Sequence, residues 1–292
     1  MRQMARFSWL ACCVLAGFPA FPQQADFVFK TDVRLVEVYA SVFDHRGRYL
    51  DGLTRERFAL ADNGAAQPIV AFEGSTSEVS CAVLLDTTGS MALALPAVKN
   101  AVLRLIDEFR GNDWVAVYGF DTSIRTLQEF TRDKSTAKRA VLRTRAGGNT
   151  ALFDAVARVA SEISTRSGKK ALIVFTDGAD NASMLNIESA KVRAKKVGIP
   201  IYTVAQGDAL ASAVLVRELR NISDFTGGLS YTVRKPHEVE NVFQDISSDL
   251  QHTYMLAYRP PAGSEKKWRS IQVSVQGLKQ YRIRAREGYL PD

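Results

Sequence analysis

Two rhythms of apolar spacing divide the chain. Near the start, Val36, Val38, Ala40 and Val42 alternate on one face, while Leu35, Tyr39 and Phe43 fall on the other. Apolar residues on both faces predict a strand inside a packed sandwich. Asp44-His45-Arg46-Gly47 reads as a turn. Asp62-Asn63-Gly64 reads as a hairpin loop joining strands at 58–60 and 69–72. Residues 73–78 form a polar linker. From Val79 the rhythm becomes strand, helix, strand, helix. Strands are predicted at 81–85, 114–120, 124–130, 171–175, 199–204 and 229–233. Leu95, Val98, Val102, Leu105, Ile106 and Phe109 recur at helical spacing, as do Leu152, Val156, Val159 and Ile163. Further helices are predicted near 187–197, at 214–222, and along Val239, Val242, Phe243, Ile246 and Leu250. Beyond them β spacing returns at 254–258, at Ile271, Val273 and Val275, and at Tyr281, Ile283 and Ala285.

Alternating strands and helices imply an α/β unit, a doubly wound and largely parallel sheet covered on both faces. Sites in such sheets lie at the carboxyl ends of strands, near the point where strand order reverses. Each terminal β segment is too short for a sandwich alone, but together they offer about six strands. The expected organisation is therefore a small β-sandwich, built from both ends of the chain, with the α/β unit inserted. The boundaries are a leader at 1–25, an N-terminal β segment at 26–78, the α/β unit at 79–252 and a C-terminal β segment at 253–292.

The leader changes the cellular setting. Arg2 and Arg6 precede an apolar run from Phe7 to Phe21. That run is shorter than the roughly 20 apolar residues of a membrane span, so it reads as an export signal. The expectation is a periplasmic, cell-surface or secreted protein with no stable span in the mature chain. Of 292 residues, 46% are hydrophobic and 24% charged, which suits a globular core. Without Arg2 and Arg6 there are 36 basic and 31 acidic side chains, a mild +5 that does not argue for nucleic acid. Cys12 and Cys13 fall in the leader, so Cys81 stands alone and a disulfide framework is excluded. Cys81 is expected to pack as a small hydrophobe.

The candidate chemistry is oxygen-rich. Asp86-Thr87-Thr88-Gly89-Ser90 follows the apolar run 81–85 and precedes a helical pattern. Gly147-Gly148-Asn149-Thr150 sets a hydroxyl at a helix start, and Thr176-Asp177-Gly178 ends a second buried strand in an acid. Oxygen-only donors suit a hard cation such as Mg²⁺ rather than zinc or copper. The pattern acid-x-hydroxyl-x-hydroxyl, then a threonine, then a second acid, resembles the metal-ion-dependent adhesion site of von Willebrand factor type A (VWFA) domains. Asp86, Thr88, Ser90, Thr150 and Asp177 match it. The family usually has serine where Thr88 stands; threonine keeps the hydroxyl and adds a methyl. The flanking segments Gly52-Leu53-Thr54 and 254–260 resemble those of exported bacterial VWFA-related proteins.

That resemblance implies a Rossmann-like fold and a bound Mg²⁺, Mn²⁺ or Ca²⁺, with the acids acting partly through water or hydrogen bonds. Hydroxyl ligands carry no formal charge, so the ion keeps positive charge and an open position. A partner's Asp or Glu carboxylate fills that position. A matrix, an envelope protein and a sister subunit all meet this requirement. The implied function is protein binding or adhesion rather than turnover.

Each donor also has a plain structural reading: Thr150 as a helix cap, Asp177 as a turn cap with Gly178, Asp86 as an acceptor for amides at the next helix start. A scaffold without metal-dependent ligand is thus one alternative. A Mg²⁺-dependent phosphatase using Asp86 as nucleophile is the other, but Thr88 stands where such enzymes carry a second acid. His45, His237 and His252 are scattered, and no GxSxG, HExxH, P-loop or CxxC occurs. Asp121, Asp154 and Asp180 lie near the same loops, as support for the site or as solvated acids. Arg282, Arg284 and Arg286 form a stripe at period two, expected to be a solvated strand face.

Overall fold

A computed structural model describes residues 35–235, 238–261 and 267–291. The expected leader lies outside the described residues. Six strands form the central sheet in the order β10-β9-β8-β5-β6-β7. They are β5 (Val79–Asp86), β6 (Trp114–Phe120), β7 (Ile124–Thr131), β8 (Lys169–Thr176), β9 (Ile201–Gln206) and β10 (Ser230–Val233). All pair in parallel except β7, which is antiparallel to β6. Strand β5 is buried at every position, which explains its unbroken apolar run.

Helices α1 (Leu95–Glu108), α2 (Lys134–Arg143) and α6 (Glu238–His252) cover one face of this sheet, packed on Val79, Cys81, Val83 and Leu85. Cys81 is a buried free thiol within that layer, as expected. Helices α3 (Leu152–Ser164), α4 (Ile187–Val197) and α5 (Ala213–Thr226) cover the other face, packed on Ala82 and Leu84. The chain moves from β5 to β6 on one side and later places β8 on the other. Strand order therefore reverses between β5 and β8. The carboxyl ends of these two strands diverge into helices on opposite faces and leave a crevice.

Helix α2 has no counterpart in the apolar spacing. It buries only Ala137, Ala140 and Val141, too few large side chains to mark a stripe. Its signal is polar: Asp133 caps it, accepting from the amides of Ser135 and Thr136.

The remaining strands form two four-stranded antiparallel sheets. One has the order β13-β1-β11-β4, with β1 (Val36–Asp44), β4 (Ala71–Glu73), β11 (Tyr254–Tyr258) and β13 (Tyr281–Ala285). The other has the order β14-β12-β2-β3, with β2 (Phe58–Asp62), β3 (Ala65–Gln67), β12 (Arg269–Val275) and β14 (Gly288–Tyr289). Both sheets mix strands from the two ends of the chain. β1 pairs with β11, Val38 opposite Leu256, and with β13, Val42 opposite Ile283. The sandwich core joins Val36, Val38, Val42, Phe58 and Leu60 to Tyr254, Leu256 and Ile271. The other face of β1 carries Tyr39, which packs with Met255 and Ala257.

The hairpin at Asp62-Asn63-Gly64 forms, with φ of +48° at Asn63 and +80° at Gly64, the paired positive values of a type I′ turn. Its second strand is β3, however, not 69–72. Pro68 follows β3 and has no amide to extend the ladder. The chain then crosses to the other sheet, where Phe72 of β4 lies opposite Leu256 of β11.

The arginine stripe departs from the solvated face expected of it. Arg286 is buried. Arg284 forms an ion pair with Asp249, a fully buried acid on α6. Asp249 also accepts from Ser41 Oγ at 3.1 Å, Tyr49 OH at 3.0 Å and Tyr202 OH at 2.6 Å. Only Arg282 keeps an outward position, over the Phe43 ring.

A second buried acid closes the sandwich. Asp62 accepts from Arg269 Nε at 2.7 Å, and from Tyr258 OH and Tyr289 OH at 2.9 Å each. All three donors come from the C-terminal segment. Arg269→Met leaves a buried carboxylate short of its charged donor. Urea unfolding is expected to show a loss of about 3–5 kcal/mol, with faster hydrogen exchange along β2. A loss below about 1 kcal/mol, the scale of an exposed ion pair, would mean that the two tyrosines alone hold Asp62.

Candidate metal centre

The site is built where β5 and β8 end. Leu85 of β5 lies opposite Phe175 of β8, so Asp86 and Thr176 leave the sheet side by side. Thr176 Oγ1 donates to Asp86 Oδ2 at 2.7 Å. The chain after Asp86 turns back on it: the Thr88 amide reaches Asp86 Oδ1 at 2.9 Å and Thr88 Oγ1 reaches it at 2.6 Å. Thr88 Oγ1 lies 3.0 Å from Ser90 Oγ, which donates to Asp177 Oδ1 at 2.8 Å. One chain of oxygens thus runs from Asp86 through two hydroxyls to Asp177.

Thr150 comes in on the third loop. Gly178 shows how close it lies: a Cβ built there would be 3.5 Å from both Ser90 Oγ and Thr150 Oγ1. Backbone contacts hold this loop to the first. The Gly89 amide donates to Gly148 O at 3.2 Å, and the Gly147 amide to Thr87 O at 2.8 Å. Gly148 has φ of +84°, and a Cβ there would meet Asp121 Cβ at 3.0 Å, so glycine permits both the turn and the approach. All five sequence-predicted donors therefore converge. Asp86, Thr88, Thr150 and Asp177 are buried, while Ser90 is exposed at the mouth.

Asp121, Asp154 and Asp180 are neither donors to this cluster nor solvated. Each braces a loop. Asp121 pairs with Arg125 at 2.6 Å and accepts from the Ser123 amide at 2.9 Å. Asp154 accepts from the amides of Met184 and Leu185. Asp180 accepts from the amides of Phe153 and Ser183. The Asp121 bonds close the turn between β6 and β7, while those of Asp154 and Asp180 tie the segment after β8 to the start of α3, next to Thr150.

Three further residues act on the site that spacing did not single out. Thr176 binds Asp86, as above. Asn181 Oδ1 accepts from the Thr150 amide at 2.9 Å, and the Asn181 amide donates back to Thr150 O at 3.0 Å. Asp208 follows β9, and its charge raises the pKa of Asp177. The signal for Asp208 was its place, just past the carboxyl end of a buried strand.

Electrostatically the cluster is a concentration of negative charge that suits a cation. Among the described residues, no Lys or Arg forms an ion pair with Asp86 or Asp177. Burial pushes both carboxyls up, and Asp177 reaches about 6, helped by the nearby Asp86 and Asp208 charges and opposed by the Ser90 hydroxyl. Two buried carboxylates linked by hydroxyls are costly unless a cation joins them. Hydroxyl and carboxylate oxygens are the donor set for Mg²⁺, Mn²⁺ or Ca²⁺, so the residues present fit such an ion.

The von Willebrand factor type A domain description matches residues 81–245. The chain belongs to this family. Among solved structures it is similar to a von Willebrand factor type A protein from Catenulispora acidiphila. That match has 15% identity and a TM-score of 0.52, covering 87% of this chain and 73% of that one. It is also similar to the vWF domain of the type V pili tip protein Mfa5 from Porphyromonas gingivalis, with 12% identity and a TM-score of 0.52, covering 59% of this chain and 95% of that one. A D319A mutant of the PilB minor pilin from Streptococcus sanguinis matches at 14% identity and a TM-score of 0.49, over 60% of this chain and 62% of that one. The chain thus spans less than two thirds of that pilin. At these identities the likeness is one of fold. No curated protein sequence matches the chain.

The titration of Asp177 gives the metal-free protein a pH signature. Its folded-state pKa of about 6 lies above the ordinary 3.8 of an aspartate. Protonation therefore favours the folded form, and this contribution is complete below about pH 4 and lost as pH rises through 6. In chelator, Asp177→Asn is expected to lack that component. Its melting temperature relative to the parent should rise between pH 4 and pH 7. A constant difference across that range would show that Asp177 titrates normally.

Proposed function

We propose that this chain is an exported binding module. Asp86, Thr88, Ser90, Thr150 and Asp177 hold a divalent cation, Mg²⁺ or in its place Mn²⁺ or Ca²⁺. The cation offers an open position to an Asp or Glu carboxylate of a partner protein. One observation carries this reading: two buried carboxylates face each other through hydroxyls, with no basic side chain paired to either among the described residues.

The chain's own groups define the chemistry. Thr176 and the Thr88 amide fix the orientation of Asp86. Asn181 fixes the backbone of Thr150. Ser90, exposed at the mouth, marks the side from which a partner approaches. The bound cation supplies a positive charge in a partly dry site, where attraction to a carboxylate is stronger than in water. Binding is favoured over turnover because the groups hydrogen-bonded to Asp86 and Asp177 are hydroxyls and backbone amides. None of these serves as a general acid near neutral pH.

Export rests on the basic residues and apolar run at the start of the chain. The fold likeness to a pili tip protein supports a surface setting. No helix among the described residues is long and apolar enough to cross a membrane.

Calorimetry with Mg²⁺ tests the site. Asp177→Ala is expected to weaken binding at least tenfold, about 1.4 kcal/mol or more, with an unchanged circular dichroism spectrum. Equal affinity in the variant would leave the scaffold reading. The partner side is tested separately: capture of an envelope protein is expected to be lost in EDTA and restored by Mg²⁺. Capture that ignores chelator would place recognition on another surface.

A further inference from the structure

Arg286 follows β13 and is 4% exposed. No hydrogen bond or ion pair reaches its guanidinium among the described residues, and its buried Nε has no partner. The side chain is wedged against the end of α4. A Cβ at Gly198, which caps that helix at φ +69°, would lie 2.2 Å from Arg286 Nη1. Burial pulls its pKa down from the ordinary value. The Glu37 charge and the Tyr289 ring, 5.9 Å from the guanidinium carbon, offset part of this desolvation cost without bonding to the group.

The same guanidinium lines a cavity of about 410 Å³. The cavity opens where α3 and α4 end, against the start of β1 and the chain after β14. Helix α3 starts beside Thr150 and leads into the amino end of β8, and α4 starts beyond the carboxyl end of β8 and leads into β9, so this is the pole opposite the candidate metal centre. Lys196 also lines it. Glu37 is its one acidic lining residue, and that carboxylate is engaged elsewhere: Oε1 with Lys170 Nζ at 2.7 Å, Oε2 with Tyr39 OH at 3.0 Å. The other walls are largely apolar, among them Val36, Val197, Pro261, Tyr289 and Leu290.

We propose that this cavity binds an organic carboxylate, whose acid group pairs with Arg286 and whose short apolar body lies against Val36, Val197 and Leu290. A guanidinium accepts a carboxylate in a two-pronged contact that neutralises it without further rearrangement. The volume is in the range of small-molecule sites, and a few charged groups set among apolar side chains are their usual chemistry. The same chemistry is presented by a free small acid and by the C-terminal carboxylate of a partner chain. The site does not depend on the metal centre.

Calorimetry on the full chain tests this in EDTA, so that no cation at Asp86 and Asp177 contributes. The probes are hexanoate with hexanamide, and a tripeptide ending in leucine as free acid and as amide. Sulfate is the inorganic control. At least one acid is expected to bind, with its amide and sulfate at least tenfold weaker. Binding of hexanoate identifies a free small acid as sufficient; binding of the tripeptide acid alone identifies a chain terminus. Arg286→Gln is expected to lower affinity at least tenfold, with Arg286→Lys between it and the parent. Ser164→Trp, a substitution at the half-buried rim, is expected to block the cavity and decides the matter if Arg286→Gln does not fold. Absence of binding by either acid, equal binding of an amide or of sulfate, or full affinity in the folded variants would overturn the proposal.

Discussion

Strand β1 is the constraint on which the molecule depends. Its edges are paired on one side by β11 and on the other by β13, strands that arrive more than 200 residues later. Unpaired backbone groups on a buried strand are costly, so β1 is satisfied only when the C-terminal segment has returned. One face of β1 then fills the sandwich core, and the other meets the α/β unit. Tyr39 OH accepts from the Lys170 amide at 3.1 Å, and Glu37 pairs with Lys170 Nζ. Lys170 is the second residue of β8, the strand that ends at Thr176, just before Asp177. The terminal segments therefore anchor the amino end of the strand that leads into Asp177.

Buried charge is handled in three different ways. Asp62 and Asp249 are surrounded by tyrosine hydroxyls and an arginine, each drawn from distant parts of the chain. Their charge is neutralised inside the fold, and they act as fasteners. Asp86 and Asp177 have only hydroxyl and amide donors, which orient them without neutralising them. Arg286 feels the Glu37 charge but makes no ion pair among the described residues, and it faces a cavity. The same desolvation cost is thus met inside the fold at Asp62 and Asp249 and left open at Asp86, Asp177 and Arg286.

The α/β unit exposes its carboxyl-end loops while the sandwich covers part of its surface elsewhere. Hydrogen bonds from loop amides to Asp121, Asp154, Asp180 and Asn181 make those loops a braced frame rather than free connections. Such preorganisation lowers the cost of holding the oxygens of three loops close together.

What the sequence determined alone was whatever depends on neighbours along the chain. Apolar spacing located β5, β8 and most helices, because a strand or helix must bury its own period of side chains. The acid and hydroxyls after β5 are local too: Thr88 and Ser90 stand two and four residues from Asp86, so their approach follows from the turn. The Asn63-Gly64 turn was legible for the same reason. Tertiary structure alone decided contacts that have no local trace. It moved 71–73 into the opposite sheet once Pro68 had ended β3, and it formed α2 on a polar cap and a few small side chains. It turned Arg284 and Arg286 inward, because Asp249 and the α4 terminus lie beneath that face. Period-two spacing shows which side chains share a face of a strand; only the packed neighbours determine whether that face meets water, an acid or a cavity.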